Sequence, residues 1–195
     1  MIITLNGDEG AGKTTIAKKI AEILKFPCLN NGDFVRQLAK EKGITLTELR
    51  KLRQESPDID YKIDEKVVQL GKTKNDFIIV GRTAFHLIPQ SIKIYLAVNE
   101  KAGAERILNE LKSDHDRAVE DKKLDTLEDI MASQRKRRTE DDEIYKKHYN
   151  INIRDHSNYD FVLDTSDLTI EQVYSEVMEF IKKRTNGQSS QNSPE

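Results

Sequence analysis

Residues 7–15 read Gly-Asp-Glu-Gly-Ala-Gly-Lys-Thr-Thr. Gly7, Asp8, Glu9, Gly10, Ala11, Gly12, Lys13 and Thr14 match the phosphate-loop pattern G-x-x-x-x-G-K-[ST] at every position. Glycines permit backbone conformations that turn a row of N–H groups inward onto phosphate oxygens. A helix starting after such a loop adds its positive end. Lys13 is then placed to reach the outer phosphates of a nucleoside triphosphate and the Thr14 hydroxyl to ligate Mg²⁺, with Thr15 also counted among the triphosphate-binding residues. The pattern lies between the apolar run Ile2–Leu5 and an amphipathic stretch, which is the context a phosphate loop requires. The loop implies a triphosphate donor but leaves the recipient open: water, a protein hydroxyl or a small molecule.

Three further stretches carry groups suited to a second phosphate. In Asn30-Asn-Gly-Asp33-Phe-Val-Arg36, Gly32 permits a tight turn and Asp33 can cap a helix. One reading is a cap followed by a solvated arginine. The other sets Asp33 beside Mg²⁺-bound water and Arg36 on an acceptor phosphate, where its fork makes two bonds. Phe77-Ile-Ile-Val80-Gly81-Arg82 sends a guanidinium out from a buried strand, either to solvent or to the ligand-binding edge of a sheet. Arg135-Lys-Arg-Arg138 stands just before Glu140-Asp-Asp-Glu143 and is a solvated helix face, a nucleic-acid patch or a lid. As a lid it would bring arginine onto the transferring phosphoryl group and exclude water. The acidic run and the lack of interleaved aromatic residues argue against nucleic acid. His86, His115, His148 and His156 lack metal-ligand spacing and read as surface or packing residues.

These groups need a scaffold that brings them to one edge. Ile2–Leu5, Phe77–Val80, Ile92–Val98 and Phe161–Leu163 read as strands. Between them, Ile16, Ile20, Ile23 and Leu24 mark one helix face before Pro27. Phe34, Leu38 and Ala39 mark a helix from Asp33 to Gly43, and Thr45 to Glu48 has capping-box spacing for another. Ile59, Ile63, Val67 and Leu70 mark a helix ending before Gly71, residues 100–111 one more, and Ile170, Val173, Val177 and Ile181 the last. Strands alternating with helices predict a mostly parallel sheet covered on both faces. Loops 6–13, 30–36, 80–84 and 164–167 would converge at its carboxyl edge. The fold expected is a three-layer α/β/α domain over 1–183. Its core is 1–32, 72–111 and 149–183, with polar excursions at about 44–71 and 112–148; the tail 184–195 reads as disordered.

The 195 residues suffice for one domain with a mobile insert. Charged residues form 34% of the chain and the net charge is -2, so composition makes no electrostatic case for nucleic acid. No apolar run approaches a membrane span, and Met1 leads directly into a strand, leaving no room for a signal peptide. A single cysteine, Cys28, reads as a small buried hydrophobe in a reducing compartment. A cytoplasmic monomer acting on small nucleotides is expected.

Taken together, these stretches resemble the nucleoside monophosphate kinases, and within them the archaeal-type cytidylate kinases. The likeness runs from Met1 to about Lys183. It rests on the phosphate loop, Gly32-Asp33-x-x-Arg36, Glu55-Ser-Pro-Asp-Ile-Asp60-Tyr-Lys-Ile-Asp64, Gly81-Arg82, and Tyr145-Lys-Lys-His-Tyr-Asn-Ile-Asn-Ile153 leading to Tyr159-Asp-Phe-Val-Leu-Asp-Thr-Ser166. The resemblance implies ATP-dependent, Mg²⁺-assisted transfer to CMP or dCMP, with AMP, UMP or dephospho-coenzyme A as other acceptors. It makes 33–71 the monophosphate-binding segment and about 112–140 the lid. Arg36, Arg82, Gly81, Asp33 and Asp60 fall on the acceptor side, Arg137 becomes the lid arginine, and Asp164, Thr165 and Ser166 lie near the donor's adenine. Thr14 and Asp33 are the implied metal-side residues. Three departures stand out. Relatives commonly have an acid where this chain has Val80, which shifts weight to Asp33, and often an arginine where it has Ile144, so that one lid charge is missing or is supplied by Arg135 or Arg138. Phe85-His86 also differs after Gly81-Arg82. A GTPase would carry Asn-Lys-x-Asp and Asp-x-x-Gly motifs, and neither is present. A nucleotide-dependent RNA-binding ATPase using residues 135–138 is the remaining alternative, and its binding would fall steeply with salt.

Overall fold

The computed structural model describes residues 1–56, 58–113, 124 and 126–189. The chain orders its elements as β1 (Ile2–Gly7), α1 (Lys13–Leu24), β2 (Cys28–Asn30), α2 (Asn31–Lys42), α3 (Leu46–Glu55), α4 (Asp58–Thr73), β3 (Phe77–Val80), α5 (Ala84–Leu87), β4 (Ile92–Ala97), α6 (Glu100–Ser113), α7 (Leu127–Tyr149), a 3₁₀ turn (His156–Asn158), β5 (Phe161–Asp164) and α8 (Ile170–Ser189). The strands lie in the order β2-β3-β1-β4-β5 and every pairing is parallel. All five carboxyl ends therefore face one edge. Register aligns Asn30 with Val80, Leu5 with Val80, Gly7 with Leu96 and Ala97 with Asp164, so the expected loops emerge side by side.

Alternation along β1 splits the core. Ile3 and Leu5 pack with Ile16, Ala17, Ile20, Val177 and Ile181 of α1 and α8. Ile2 packs on the other face with Val67, Ala84 and Ile88 of the α4–α5 side. Helices α2, α3 and α4 enclose a small core of their own, built from Ala39, Leu49, Ile59 and Ile63. This insert spans the residues that the sequence reading set apart as 33–71. Thr45 and Glu48 form the expected capping box. Helix α7 packs on α6 through Ile130, Ala104 and Ile107.

Several expectations are corrected. The short strand β2 escaped notice because three residues carry no readable period. Helix α2 begins before Asp33, and Asn30 is its cap, accepting from the Gly32 N–H at 2.8 Å. Ile23 is exposed, because α1 docks through Ala17 and Ala21, whose small side chains let it approach the sheet. Helix α4 runs through Gly71, where a Cβ would lie 3.0 Å from the Ile88 side chain. Cys28 is half-buried rather than buried, and that partial burial pushes its thiol pKa up. Helix α8 continues to Ser189, past the residue where disorder was expected. Pro57, residues 114–123 of the expected lid with His115, Asp125 and residues 190–195 lie outside the described residues.

Candidate active site

The phosphate loop leaves β1 at Gly7, which has φ 150°; a Cβ there would lie 2.1 Å from the Leu96 carbonyl oxygen. Gly10 has φ 80° and turns its bare face onto α6, where a Cβ would lie 2.3 Å from the carbonyl oxygen of Gly103. Neighbouring backbone, not only ligand, demands these two glycines. Helix α1 then starts at Lys13. The Lys13 ammonium donates to the carbonyl oxygens of Gly7 at 2.9 Å and Asp8 at 2.5 Å, arching across the loop. Burial, with Arg82 and Arg137 as like charges, lowers its pKa to about 8 against the pull of Glu9 and Asp8. Arg137 is exposed on α7.

Guanidinium groups meet the loop's two acids. Arg82, one residue past Gly81, lies 2.8 Å from Glu9 and 2.9 Å from Asp141. Arg154 lies 3.1 Å from Asp8, 3.1 Å from Asp142 and 3.9 Å from Glu9. Arg138 lies 3.4 Å from Asp8, which also accepts from Tyr95 Oη at 3.0 Å and the Val98 N–H at 3.2 Å. Burial alone would raise the Glu9 pKa, but Arg82, Lys13 and Arg154 outweigh it and hold the carboxyl at about 2. The mouth of the loop is thus a set of cations neutralised by carboxylates, and an incoming phosphate competes with those carboxylates for the same N–H groups.

The elements explain how Arg154 arrives there. Asn6, buried one residue before the loop, donates from Nδ2 to the Ile153 carbonyl at 3.1 Å and to Tyr159 Oη at 2.6 Å. Ile153 packs with Phe85 and Tyr145, and the Tyr159 ring lies 4.8 Å from Phe85 and 4.9 Å from Tyr95. The chain after α7 is thereby pinned across the sheet, with Arg154 directed at the loop.

A second arm joins the α3–α4 insert to α7. Arg53 Nε donates to Asp60 Oδ1 at 2.7 Å and Nη2 donates to Tyr145 Oη at 3.3 Å. Asp64 accepts from Thr83 Oγ1 at 3.2 Å and from Tyr149 Oη. On the donor side, Arg106 donates to Thr165 Oγ1 at 3.1 Å, the Thr165 carbonyl at 2.5 Å, the Ser166 carbonyl at 3.2 Å and the Gly10 carbonyl at 3.4 Å. That arginine fastens the 164–166 turn against the phosphate loop. Ser166 Oγ donates to Asp164 Oδ1 at 2.5 Å, and this bond with the Ser166 N–H holds Asp164 below the usual carboxylate range.

Not every predicted site residue reaches the loop. Asp33, in the first turn of α2, and Arg36, one turn further on, pair with each other at 2.5 Å, both substantially exposed. Gly81 abuts Asn31, where a Cβ would lie 2.7 Å from its amide nitrogen, so the 30–36 and 80–84 loops do meet. Arg135 is committed to Glu100, bonding at 3.0 Å through Nη2, and Lys136 to Glu140 at 3.9 Å. The basic run is therefore compensated by acids. Sequence reasoning missed Arg154, Arg53, Tyr145, Asp141 and Arg106. Arg154 directly follows the Tyr145–Ile153 stretch that carried the resemblance, and that adjacency was its available signal.

For Mg²⁺, Thr14 presents an exposed side chain at the loop. Among the described residues no group of three or more His, Cys, Asp or Glu is placed to hold a metal. That donor set fits an ion carried on phosphates and water with one or two protein oxygens, which is how Mg²⁺ usually binds.

A phosphate loop at the carboxyl edge of a five-stranded parallel sheet, faced by arginines from a strand end and a helical arm, defines a P-loop kinase. The fold agrees: the shikimate kinase of Bacteroides thetaiotaomicron aligns with a TM-score of 0.63 at 16% identity, over 93% of this chain and 98% of that one. Residues 2–167 match the model of the cytidylate kinase-like family, and the chain belongs to that family. It is 35% identical to the cytidylate kinase of Methanothrix thermoacetophila over 165 residues, 85% of this chain and 88% of that protein. It is 38% identical to the cytidylate kinase of Methanocaldococcus jannaschii over 180 residues, 90% and 94% of the two chains. The chain is a nucleoside monophosphate kinase.

Proposed function

We propose that the protein transfers the γ-phosphoryl group of ATP to CMP or dCMP, giving ADP and the nucleoside diphosphate. The observation that carries this reading is Arg82, at 2.8 Å from Glu9 of the phosphate loop: a strand-end guanidinium stands directly beside the donor cradle. Gly7 to Thr15 hold the triphosphate, and Asp164, Thr165 and Ser166 border the adenine side. Arg82 and Arg36 hold the acceptor phosphate so that its oxygen attacks in line, with Asp33, Asp60 and Gly81 on the same side. Arg36 leaves Asp33 for that phosphate when the insert closes. Lys13, Arg82, Arg137 and Arg154 spread the developing charge, which is the main task in phosphoryl transfer. Thr14, with Asp33 through water, would hold Mg²⁺, which neutralises charge on the phosphates when bound. No covalent enzyme intermediate is needed. Pairing of the loop carboxylates with Arg82, Arg138 and Arg154 orders these side chains before substrate arrives, which lowers the cost of assembling the site.

No helix among the described residues is long and apolar enough to cross a membrane. We assign the protein to the cytoplasm as a monomer. A coupled ADP-release assay across CMP, dCMP, UMP, AMP, GMP and dephospho-coenzyme A, with a no-acceptor control, tests the reading. Turnover greatest with CMP or dCMP is expected; ADP release as fast without acceptor would overturn it.

A further inference from the structure

Asp8 and Glu9 put two carboxylates inside a loop built to bind anions, and the two are held differently. Asp8 accepts from Tyr95 Oη at 3.0 Å and from the Val98 N–H at 3.2 Å, so it stitches the loop to β4 whether or not an arginine is present. Glu9 has no such anchor. Among the described residues its carboxylate accepts from Arg82 alone, at 2.8 Å to Oε1; Oε2 is buried and accepts no hydrogen bond, and Arg154 stands off at 3.9 Å. Only 10% of the Glu9 side chain is exposed. Burial opposes its ionisation, but Arg82, Lys13 and Arg154 hold its pKa at about 2, so Glu9 is an anion at neutral pH.

Arg82 does not need Glu9 to stay in place. It follows the end of β3, and Asp141 of α7 lies 2.9 Å from the same guanidinium nitrogen, Nη2. Two carboxylates on one guanidinium leave that group locally negative, the wrong sign for a phosphate site. Carboxylate and phosphate also use the same N–H donors of arginine. We infer that Glu9 is an internal anion that occupies Arg82 until the phosphate of the monophosphate displaces it. A phosphate is itself an anion and can take over the bond; water is neutral and cannot. Before the acceptor arrives, Arg82 is therefore withheld from the transferring γ-phosphoryl group, and hydrolysis proceeds without its charge. Glu9 thereby sorts a phosphate acceptor from water. This assignment rests on the kinase reading of the site and adds to it the means by which transfer is favoured over hydrolysis.

Two readouts compare the unaltered protein with Glu9→Gln. Calorimetry measures the dissociation constant of CMP without ATP, and a coupled assay measures the ratio of acceptor-free to CMP-dependent ADP release. Removing a competing charge-assisted hydrogen bond predicts CMP binding about 10- to 100-fold tighter in the variant, and a ratio raised by about tenfold or more. The ratio is internal to one protein sample, so partial unfolding leaves it unchanged. A residue that only positioned Arg82 would give the opposite sign, with weaker CMP binding in the variant. CMP affinity that is weaker or unchanged, or a ratio that does not rise, overturns the assignment while leaving the kinase reading intact. Glu9→Ala removes the same charge and replaces Glu9→Gln if that variant does not fold. Failure of both to fold would make the carboxylate part of the scaffold and overturn the assignment too. Unaltered protein whose ADP release no monophosphate raises would instead overturn the kinase reading itself.

Discussion

Arg154 lies 3.1 Å from Asp8, joining the segment after α7 to the phosphate loop across most of the chain. Only 15% of the Arg154 side chain is exposed, and the same guanidinium lies 3.1 Å from Asp142 on α7. It therefore ties α7 and the loop together. Arg154 and Arg138 both bring positive charge to Asp8 of the loop, while Arg135 is spent on Glu100.

Arg154→Ala is expected to lower kcat by about 100-fold, as for loss of one donor to a developing oxyanion. Arg154→Lys keeps the charge but not the two-sided geometry and should recover only part of the rate. Steady-state kinetics with CMP and ATP, alongside circular dichroism to confirm folding, checks both. An Arg154→Ala enzyme at full kcat would leave the residue a structural tie only.

Lys13→Ala should abolish transfer while leaving the melting temperature near that of the unaltered protein, because the ammonium bonds only to loop carbonyls. Activity surviving in that variant would sink the mechanism.

The lowered pKa of Lys13 gives a pH dependence of known sign. Below about 8 the free protein already carries the ammonium, and ATP binds without taking up a proton. Above that value the lysine is increasingly neutral, bound phosphate restores its proton, and ATP affinity should fall by about tenfold per pH unit until the ordinary lysine range is reached. Calorimetry in buffers of different ionisation enthalpy, at neutral pH and at higher pH, would register proton uptake only in the second case.

Arg36→Ala should raise KM for the monophosphate far more than KM for ATP. Its partner Asp33 lies on α2, whose Asn31 abuts Gly81 of the 80–84 loop. Equal effects on both substrates would remove Arg36 from the acceptor side.

Gly10→Ala introduces a Cβ 2.3 Å from the Gly103 carbonyl and forces a non-glycine residue to φ 80°. A destabilisation of at least about 2 kcal/mol is expected, with loss of ATP binding. Chemical denaturation and fluorescent-nucleotide titration measure the two effects separately.

Local signals determined much of this protein. The phosphate loop, the parallel sheet, the capping box at Thr45 and Glu48, and Gly81-Arg82 at a strand end all follow from patterns within a few neighbouring residues. Loop chemistry is short-range, since glycine spacing and a following helix suffice to build an anion site. The end of α8 and the burial of Ile23 were not legible in the same way, because helix continuation and docking face depend on what packs against them. Tertiary structure alone decided which cations meet the loop. Arg154 lies upstream of β5, so topology assigns it to the sheet's opposite edge; only the docking of Ile153 and Tyr159 under Asn6 carries it to Asp8. The pairing of Arg53 with Asp60 is likewise a contact between two helices of the insert, and its link to Tyr145 exists because α7 folds back over them. Long-range ion pairs of this kind have no sequence period, because their geometry is set by how separate elements pack.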